Sequence, residues 1–317
     1  MILDSLADAI GNTPLVRLRS IEPPGVEIHA KLEWFNPGGS VKDRAALQIV
    51  KDAITRGDLP GKTLLDSTSG NTGIAYAWIG AALKIPVALV MPSNVSEARK
   101  RIARAFGAQV IFSDPLEQSD GAIRLARKLA QEEPSKWFYA DQYSNEANPR
   151  AHVLGTAEEI WRQTEGRVTH VVLGIGTGGT VMGTGRGLRA KNPRIQVIAV
   201  EPAEALHGLE GLKHMPSSIV PRIYKEEELT RKLSVETDAG WDMADRLIRD
   251  EGLLAGHSAG AAAEGELRVA RELREGVVVT LFPDRADRYL PAAPERVVDA
   301  PAERVVEAPA ERGTEKR

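Results

Sequence analysis

Cysteine is absent from the 317 residues. Without a thiol the chain can form no disulfide, offer no thiolate nucleophile and hold no Cys-ligated zinc or iron–sulfur cluster. Histidine is scarce: His29, His152, His170, His207, His214 and His257 are the only six. No His-Glu-x-x-His pattern occurs and only His207 and His214 are close in sequence, so no metal site is expected. No apolar run approaches the roughly 20 residues of a membrane span. The start, Met1-Ile2-Leu3-Asp4, lacks the basic region and apolar stretch of a secretory leader, so the cytoplasm is the expected compartment. A charge excess is missing too: 41 Lys and Arg against 44 Asp and Glu leave a net −3. That balance gives nucleic acid and anionic membranes no long-range attraction, and neither is expected as a partner. What remains is an ordinary globular composition, 42% hydrophobic and 27% charged, whose length suits one large domain or two medium ones.

Strand-like apolar runs at 63–65, 86–91, 109–112, 168–173, 196–200 and 277–282 alternate with amphipathic stretches such as 45–54 and 122–131. Strands separated by helices of this length pair in parallel, which predicts an α/β fold with two doubly wound domains and mostly parallel sheets. An N-terminal domain is expected over 1–145, its first strands free to join the other sheet, and a C-terminal domain over 146–292. Residues 202–227 are poorly periodic, are interrupted by Pro216 and Pro221, and are expected to be loops. From Ala293 an Ala-Pro-Glu-Arg-Val-Val run recurs loosely at Ala300 and Ala308, with no Leu, Ile, Met or aromatic residue to anchor a core. A disordered tail is the expectation for 293–317.

Four glycine-rich segments carry the chemistry. The first is Asn36-Pro37-Gly38-Gly39-Ser40-Val41-Lys42-Asp43-Arg44. It is a turn, and Ser40 with Asp43 reads as a capping box opening a helix through Ile54. Lys42 then sits in the first helical turn, where the dipole and burial both favour a neutral amine able to form a Schiff base. A solvated lysine is the competing reading. The second, Ser67-Thr68-Ser69-Gly70-Asn71-Thr72-Gly73, follows a strand and precedes an Ala-rich helix. Its free amides and hydroxyls make a carboxylate cradle, beyond what one helix cap needs.

The third, Gly174-Ile175-Gly176-Thr177-Gly178-Gly179-Thr180, satisfies Gly-x-Gly-x-x-Gly, with Glu201 22 residues beyond Gly179 at the end of the next strand. A dinucleotide with its ribose on Glu201 and a single phosphate in a backbone nest both fit, so a nicotinamide-dependent oxidoreductase stays open on this motif. The fourth, Gly256-His257-Ser258-Ala259-Gly260, matches the hydrolase elbow, but His257 is the last histidine and that fold needs one after the serine. An esterase is excluded.

Taken in order, these blocks resemble the cysteine synthases (O-acetylserine sulfhydrylases), pyridoxal-phosphate enzymes of fold type II, tryptophan synthase β-like and related to cystathionine β-synthase. The likeness spans roughly residues 5–290 and includes Gly11-Asn12-Thr13-Pro14-Leu15, Gln142-Tyr143-Ser144-Asn145, Glu201-Pro202 and Arg288-Tyr289-Leu290 besides the segments above. The resemblance implies pyridoxal 5′-phosphate as cofactor, held on Lys42. It implies a transferase making L-cysteine by β-replacement from an O-activated serine and sulfide or another sulfur donor. Gly176, Thr177, Gly178, Gly179 and Thr180 would hold the cofactor phosphate, Asn71 its ring hydroxyl, and Ser258 would face its pyridine nitrogen. Thr68, Ser69, Gly70, Asn71, Thr72 and Gln142 would bind the substrate carboxylate, the smaller N-terminal domain moving over the cofactor as they do. A homodimer also follows from the resemblance. Other reactions of the scaffold, cystathionine β-synthase-like or dehydratase chemistry, remain open.

The short run Gly211-Leu212-Lys213-His214-Met215-Pro216 is most similar to the B-type cysteine synthases. Relatives of that type place a basic residue near Lys213, which makes Lys213 a candidate for a substrate phosphate; a solvated loop lysine is the alternative. Pro291-Ala292 replaces the family's usual Ser-Thr, so its behaviour at the C-terminus does not carry over.

Overall fold

The computed structural model describes residues 2–68 and 70–289. Ser69 and the tail expected over 293–317 lie outside the described residues. The chain begins with β1 (Leu15–Arg17) and β2 (Val26–Leu32), then α1 (Lys42–Arg56), β3 (Thr63–Ser67), α2 (Asn71–Leu83), β4 (Val87–Pro92), α3 (Glu97–Ala105), β5 (Gln109–Ser113), α4 (Gln118–Glu132) and β6 (Trp137–Tyr139). It continues through α5 (Ala147–Ala151), α6 (Glu158–Gln163), β7 (His170–Gly174), α7 (Gly179–Lys191), β8 (Gln196–Pro202) and β9 (Arg231–Val235). The last elements are α8 (Thr237–Glu251), α9 (His257–Ala270) and β10 (Gly276–Phe282). Between β8 and β9 only short turns of helix occur, at Met215–Ser217 and Glu226–Glu228, as the prolines there require.

Two sheets result. One has six strands in the order β1-β2-β10-β7-β8-β9, the other four in the order β5-β4-β3-β6. All pairings are parallel except β1 with β2. β1 and β2 precede the smaller sheet in sequence yet pair into the larger one, where β2 registers Val26 to Leu32 against Gly276 to Phe282.

Central strands such as β4 are buried at every position because helices cover both faces of each sheet. In the larger sheet Ile28, Val278 and Phe282 pack toward α8 and α9, and Val171, Val279 and Leu281 pack toward α6 and α7. The smaller sheet buries Leu64 and Leu89 with Tyr76 of α2 on one side, and Leu65 and Val90 with Ala126 of α4 on the other. No helix among the described residues is long and apolar enough to cross a membrane.

The strand orders locate the site. In the smaller sheet the chain leaves β3 toward β4 on one side and returns to β6 on the other; in the larger, β7 has β8 on one side and β10 on the other. Each reversal opens a crevice at the carboxyl ends of the strands, where open α/β sheets bind ligands.

Candidate active site

Both crevices open on one cavity of about 280 Å³, lined by the end of β3, the loop after β7 and the end of β10. Lys42, Asn71, Thr177 and Ser258, spread over 216 residues of sequence (258 − 42), meet there.

Lys42 is the first residue of α1. The preceding Val41 N–H donates to the Pro283 carbonyl at 2.9 Å, which ties the start of α1 to the end of β10. Burial pushes the Lys42 amine below its usual range, and the Asp284 carboxylate offsets this only in part. The helix N-terminus acts in the same direction as burial. Lys42 therefore presents a neutral amine to the cavity more readily than a surface lysine would.

The expected capping box is half formed. The Ser40 hydroxyl accepts from Lys42 N–H at 3.3 Å, but the Asp43 carboxylate turns away to accept from Gly38 N–H and, at 3.0 Å, from Trp78 Nε1. Asp43 staples the Asn-Pro-Gly-Gly turn to α2, and Val41 takes the cap position. Burial raises the Asp43 carboxyl to about 6.

The second segment builds the opposite wall. Thr68 Oγ1 accepts from Gly70 N–H at 3.3 Å and Gly73 N–H at 3.1 Å, folding the loop onto the start of α2. Thr72 Oγ1 donates to Gln142 Oε1 at 2.8 Å, so the nitrogen end of that buried amide is the end Thr72 does not engage. Thr68, Gly70, Asn71, Thr72 and Gln142 all line the cavity, and the unpaired amides of a helix start suit an anion there. Ser69, named with them, lies outside the described residues.

The third segment is the loop between β7 and α7. Gly178 takes φ +86° as the cap of α7, a conformation that side chains resist. A Cβ on Gly179 would fall 1.9 Å from Asn148 Oδ1, so the backbone there can be no bulkier. Gly176, Thr177, Gly178 and Thr180 face the cavity and Gly179 closes the turn behind them.

Asn148, which the motifs did not single out, joins two walls: its Nδ2 donates to the Gln142 carbonyl at 2.9 Å and to Thr177 Oγ1 at 3.0 Å. Behind Thr180 lies His152, held neutral because burial pushes it down to about 3.

Ser258 is buried in the first turn of α9, with Gly256 as the cap, and lines the cavity. Lys213 also lines it; its Nζ lies 5.4 Å over the Tyr143 ring, and burial lowers its pKa. Glu201 is buried elsewhere: it accepts from Met215 N–H at 3.1 Å and pairs with Lys232 at 3.1 Å. It is thus committed away from any ribose, and the dinucleotide reading of the glycine motif loses its acid.

The segment 284–289 contributes more than sequence reasoning assigned it. Asp284, Arg288 and Tyr289 form a hydrogen-bonded group with Asn71 and Gly38. A buried amine, a glycine nest at a helix start and a neutral hydroxyl on a second helix start fit an aldehyde cofactor that carries one phosphate and a ring nitrogen. The orphaned Asp284 Oδ1, buried without a partner among the described residues, marks the cavity wall as a polar site.

Comparison with known proteins agrees. A family model described as pyridoxal-phosphate dependent enzyme matches residues 6–284. Cysteine synthase of Aquifex aeolicus is 52% identical over 299 residues, covering 92% of this chain and 91% of that protein. Cysteine synthase B of Pseudomonas aeruginosa is 42% identical over 290 residues, covering 90% and 95%. The solved structure of O-acetyl serine sulfhydrylase isoform 3 from Entamoeba histolytica superposes with a TM-score of 0.87 at 38% identity, over 92% of this chain and 90% of that one. The chain belongs to the pyridoxal-phosphate dependent enzymes.

Proposed function

We propose that the protein makes L-cysteine by replacing the β-substituent of an O-activated serine with sulfur. The observation that carries this reading is that Lys42, the glycine loop through Gly176, Thr177, Gly178 and Thr180, and the polar residues Thr68, Gly70, Asn71 and Thr72 line one cavity. The cysteine synthase names of the similar proteins support it. Pyridoxal phosphate, when bound, supplies an electron-withdrawing ring that makes the Cα proton of an amino acid removable.

The remaining work falls to side chains. Gly176 to Thr180 hold the phosphate on backbone amides at the start of α7. Thr68, Gly70, Asn71, Thr72 and the Gln142 amide hold the substrate carboxylate, and Ser69 is proposed to join them. Lys42, whose pKa burial lowers, takes the Cα proton and returns one after sulfur has added at Cβ. Ser258 offers the ring nitrogen a hydroxyl and no carboxylate, so nothing at that position fixes a positive charge on the ring. With the cofactor bound, such a partner would leave less positive charge on the ring and would favour loss of the substrate's β-group over return of the proton to Cα. With no cysteine in the chain, the incoming sulfur comes from outside.

Lys213 is proposed to grip the leaving group when that group is phosphate. A charge-assisted bond of this kind contributes about 1.5–3 kcal/mol, roughly 10- to 150-fold in rate. Cysteine formation from O-phosphoserine and from O-acetylserine, compared in wild type and Lys213→Ala, tests both levels. The expected result is loss on that scale for the phosphate substrate and little change for the acetate. Equal loss of both, or loss of neither, discards the phosphate role. No cysteine from either substrate in the wild type discards the reaction.

The proposal includes a homodimer. An apolar groove of about 1040 Å³ beside the cavity is lined by Leu6, Trp34, Ile74, Trp78, Ile102 and Phe106. Leu6 is 58% and Phe106 43% exposed, and a patch of this kind on a soluble protein marks an association surface. Sedimentation is expected to show twice the chain mass for wild type and the single mass for Phe106→Glu; a monomeric wild type contradicts it.

A further inference from the structure

We infer that Arg288 is a positioning residue that, together with Asp284, fixes which end of the Asn71 amide faces the cofactor. The inference rests on the pyridoxal-phosphate reading of the cavity and adds a residue to its machinery.

A primary amide has two ends of nearly equal shape and opposite hydrogen-bonding character, oxygen accepting and nitrogen donating. At Asn71 both ends are held. Arg288 Nη1 donates to Asn71 Oδ1 at 2.6 Å. Arg288 carries only donors, so only the oxygen can lie against it. Asn71 Nδ2 donates to Asp284 Oδ2, an oxygen that also accepts from the Tyr289 hydroxyl and so serves as an acceptor, which leaves that side to the amide nitrogen. Burial raises the Asp284 carboxyl, and Tyr289, Asn71 and Arg288 oppose that rise. Flipping the amide would set oxygen against carboxylate and nitrogen against guanidinium. Both charge-assisted bonds would be lost and two repulsions gained. Two groups of opposite charge, 217 and 213 residues from Asn71, thus enforce one orientation from both sides.

Each holder is itself anchored. Arg288 Nη2 donates to the Gly38 carbonyl, in the turn that leads into Lys42. Asp284 Oδ2 accepts from the Tyr289 hydroxyl, and its backbone carbonyl accepts from Gly256 N–H at 3.2 Å, at the cap of the helix bearing Ser258. Asp284 also lies close enough to Lys42 for its charge to act on the amine. Asp284 lines the cavity together with Lys42 and Asn71, whereas Arg288 is not among its lining residues, so the nitrogen is the end of the Asn71 amide held on the cavity side. A ring hydroxyl of a cofactor carried on Lys42 meets a donor. A donor favours the ionised oxygen over the hydroxyl, so the setting of one amide controls the electronic state of the ring. The guanidinium acts through Asn71 and is assigned no contact with substrate.

The experiment reads the visible absorbance of the bound cofactor against pH, with its dissociation constant, in the holoenzyme of wild type, Arg288→Met, Arg288→Lys and Asn71→Asp. Arg288→Met frees the amide to turn, and Asn71→Asp places oxygen at both ends. Both are expected to move the midpoint of the absorbance titration by about one unit or more and to weaken cofactor binding roughly tenfold. Arg288→Lys, which keeps a donor, is expected to restore most of the wild-type spectrum. A wild-type titration curve in Arg288→Met, with only its melting temperature lowered, overturns the inference and leaves Arg288 structural. Should Arg288→Met fail to fold, Asp284→Leu, which removes the acceptor at the other end of the amide, carries the same expectation and the same refutation. Borohydride labelling of wild-type Lys42 separates the two levels: a labelled Lys42 with an unaltered Arg288→Met titration refutes the positioning role alone, whereas an unlabelled Lys42 refutes the underlying function.

Discussion

Lys42→Ala is expected to fold normally and to make cysteine at least about 10³-fold more slowly than wild type, since a positioned acid–base group contributes on the order of 10²–10⁴. The loss exceeds what a missing proton carrier alone explains, because the cofactor's covalent seat goes with it. The amine is one of the few groups in the cavity able to take a proton from Cα and then give one back: Ser258 is a poor base, and Asp284 is already accepting from Asn71 and Tyr289. Folding should survive, since Lys42 makes no side-chain ion pair among the described residues, and shortening it relieves a buried amine. Steady-state turnover and far-ultraviolet circular dichroism check the two halves. Turnover within about tenfold of wild type would contradict the role.

Arg44→Met is expected to lower stability by about 3–5 kcal/mol, the usual cost of removing one partner from a buried ion cluster. Arg44 lies two residues after Lys42 on α1, buried. Its Nε donates to Glu33 at 2.6 Å, and Nη1 and Nη2 donate to Glu159 at 2.7 and 2.8 Å. Lys31 pairs with the same Glu159 at 2.7 Å. For Glu159, burial is the largest influence and opposes ionisation, but Arg44 and Lys31 outweigh it and hold the carboxyl down at about 2. Two carboxylates and two cations thus balance. Without the guanidinium, the side-chain donors left to buried Glu33 among the described residues are Thr13 and Asn36, and the burial that opposes its ionisation loses its main offset. Because the cluster joins α1 to β2 and α6, cofactor affinity is expected to fall with stability. Urea unfolding measures the difference; a loss under about 1 kcal/mol would mean that water or a rearranged Lys31 replaces the guanidinium.

The strands at 63, 87, 170, 196 and 276 were legible because each is an apolar run largely buried between helices, and the edge strand at 109 was legible from its Val-Ile-Phe run although it is only partly covered. β2 was not. Its Glu27, His29 and Lys31 alternate with apolar residues, a pattern that reads as a half-buried strand and not as a central one, yet Lys31 is fully buried, paired with Glu159, 128 residues away (159 − 31), and donating to the Thr13 carbonyl and Gln163. β9, Arg-Lys-Leu-Ser-Val, sits at a sheet edge and has little apolar pattern to show. In the site, the placement of Lys42 and of the glycine loops at helix starts could be read because it is local: a helix start and a tight glycine turn are properties of five or six consecutive residues. Asn148, Asp284 and Arg288 could not, since what each does is set by a partner that only the fold brings near. The capping box at Ser40 misled for the same reason, Trp78 having claimed the carboxylate of Asp43.

The central claim is that Lys42 carries the cofactor, and reduction tests it most directly. Borohydride treatment of the yellow holoenzyme, followed by proteolysis and mass spectrometry, is expected to place the reduced pyridoxyl phosphate on the peptide containing Lys42 and to leave Lys42→Ala unlabelled. A label on Lys213 or any other lysine, or a colourless wild type with full activity, would contradict it.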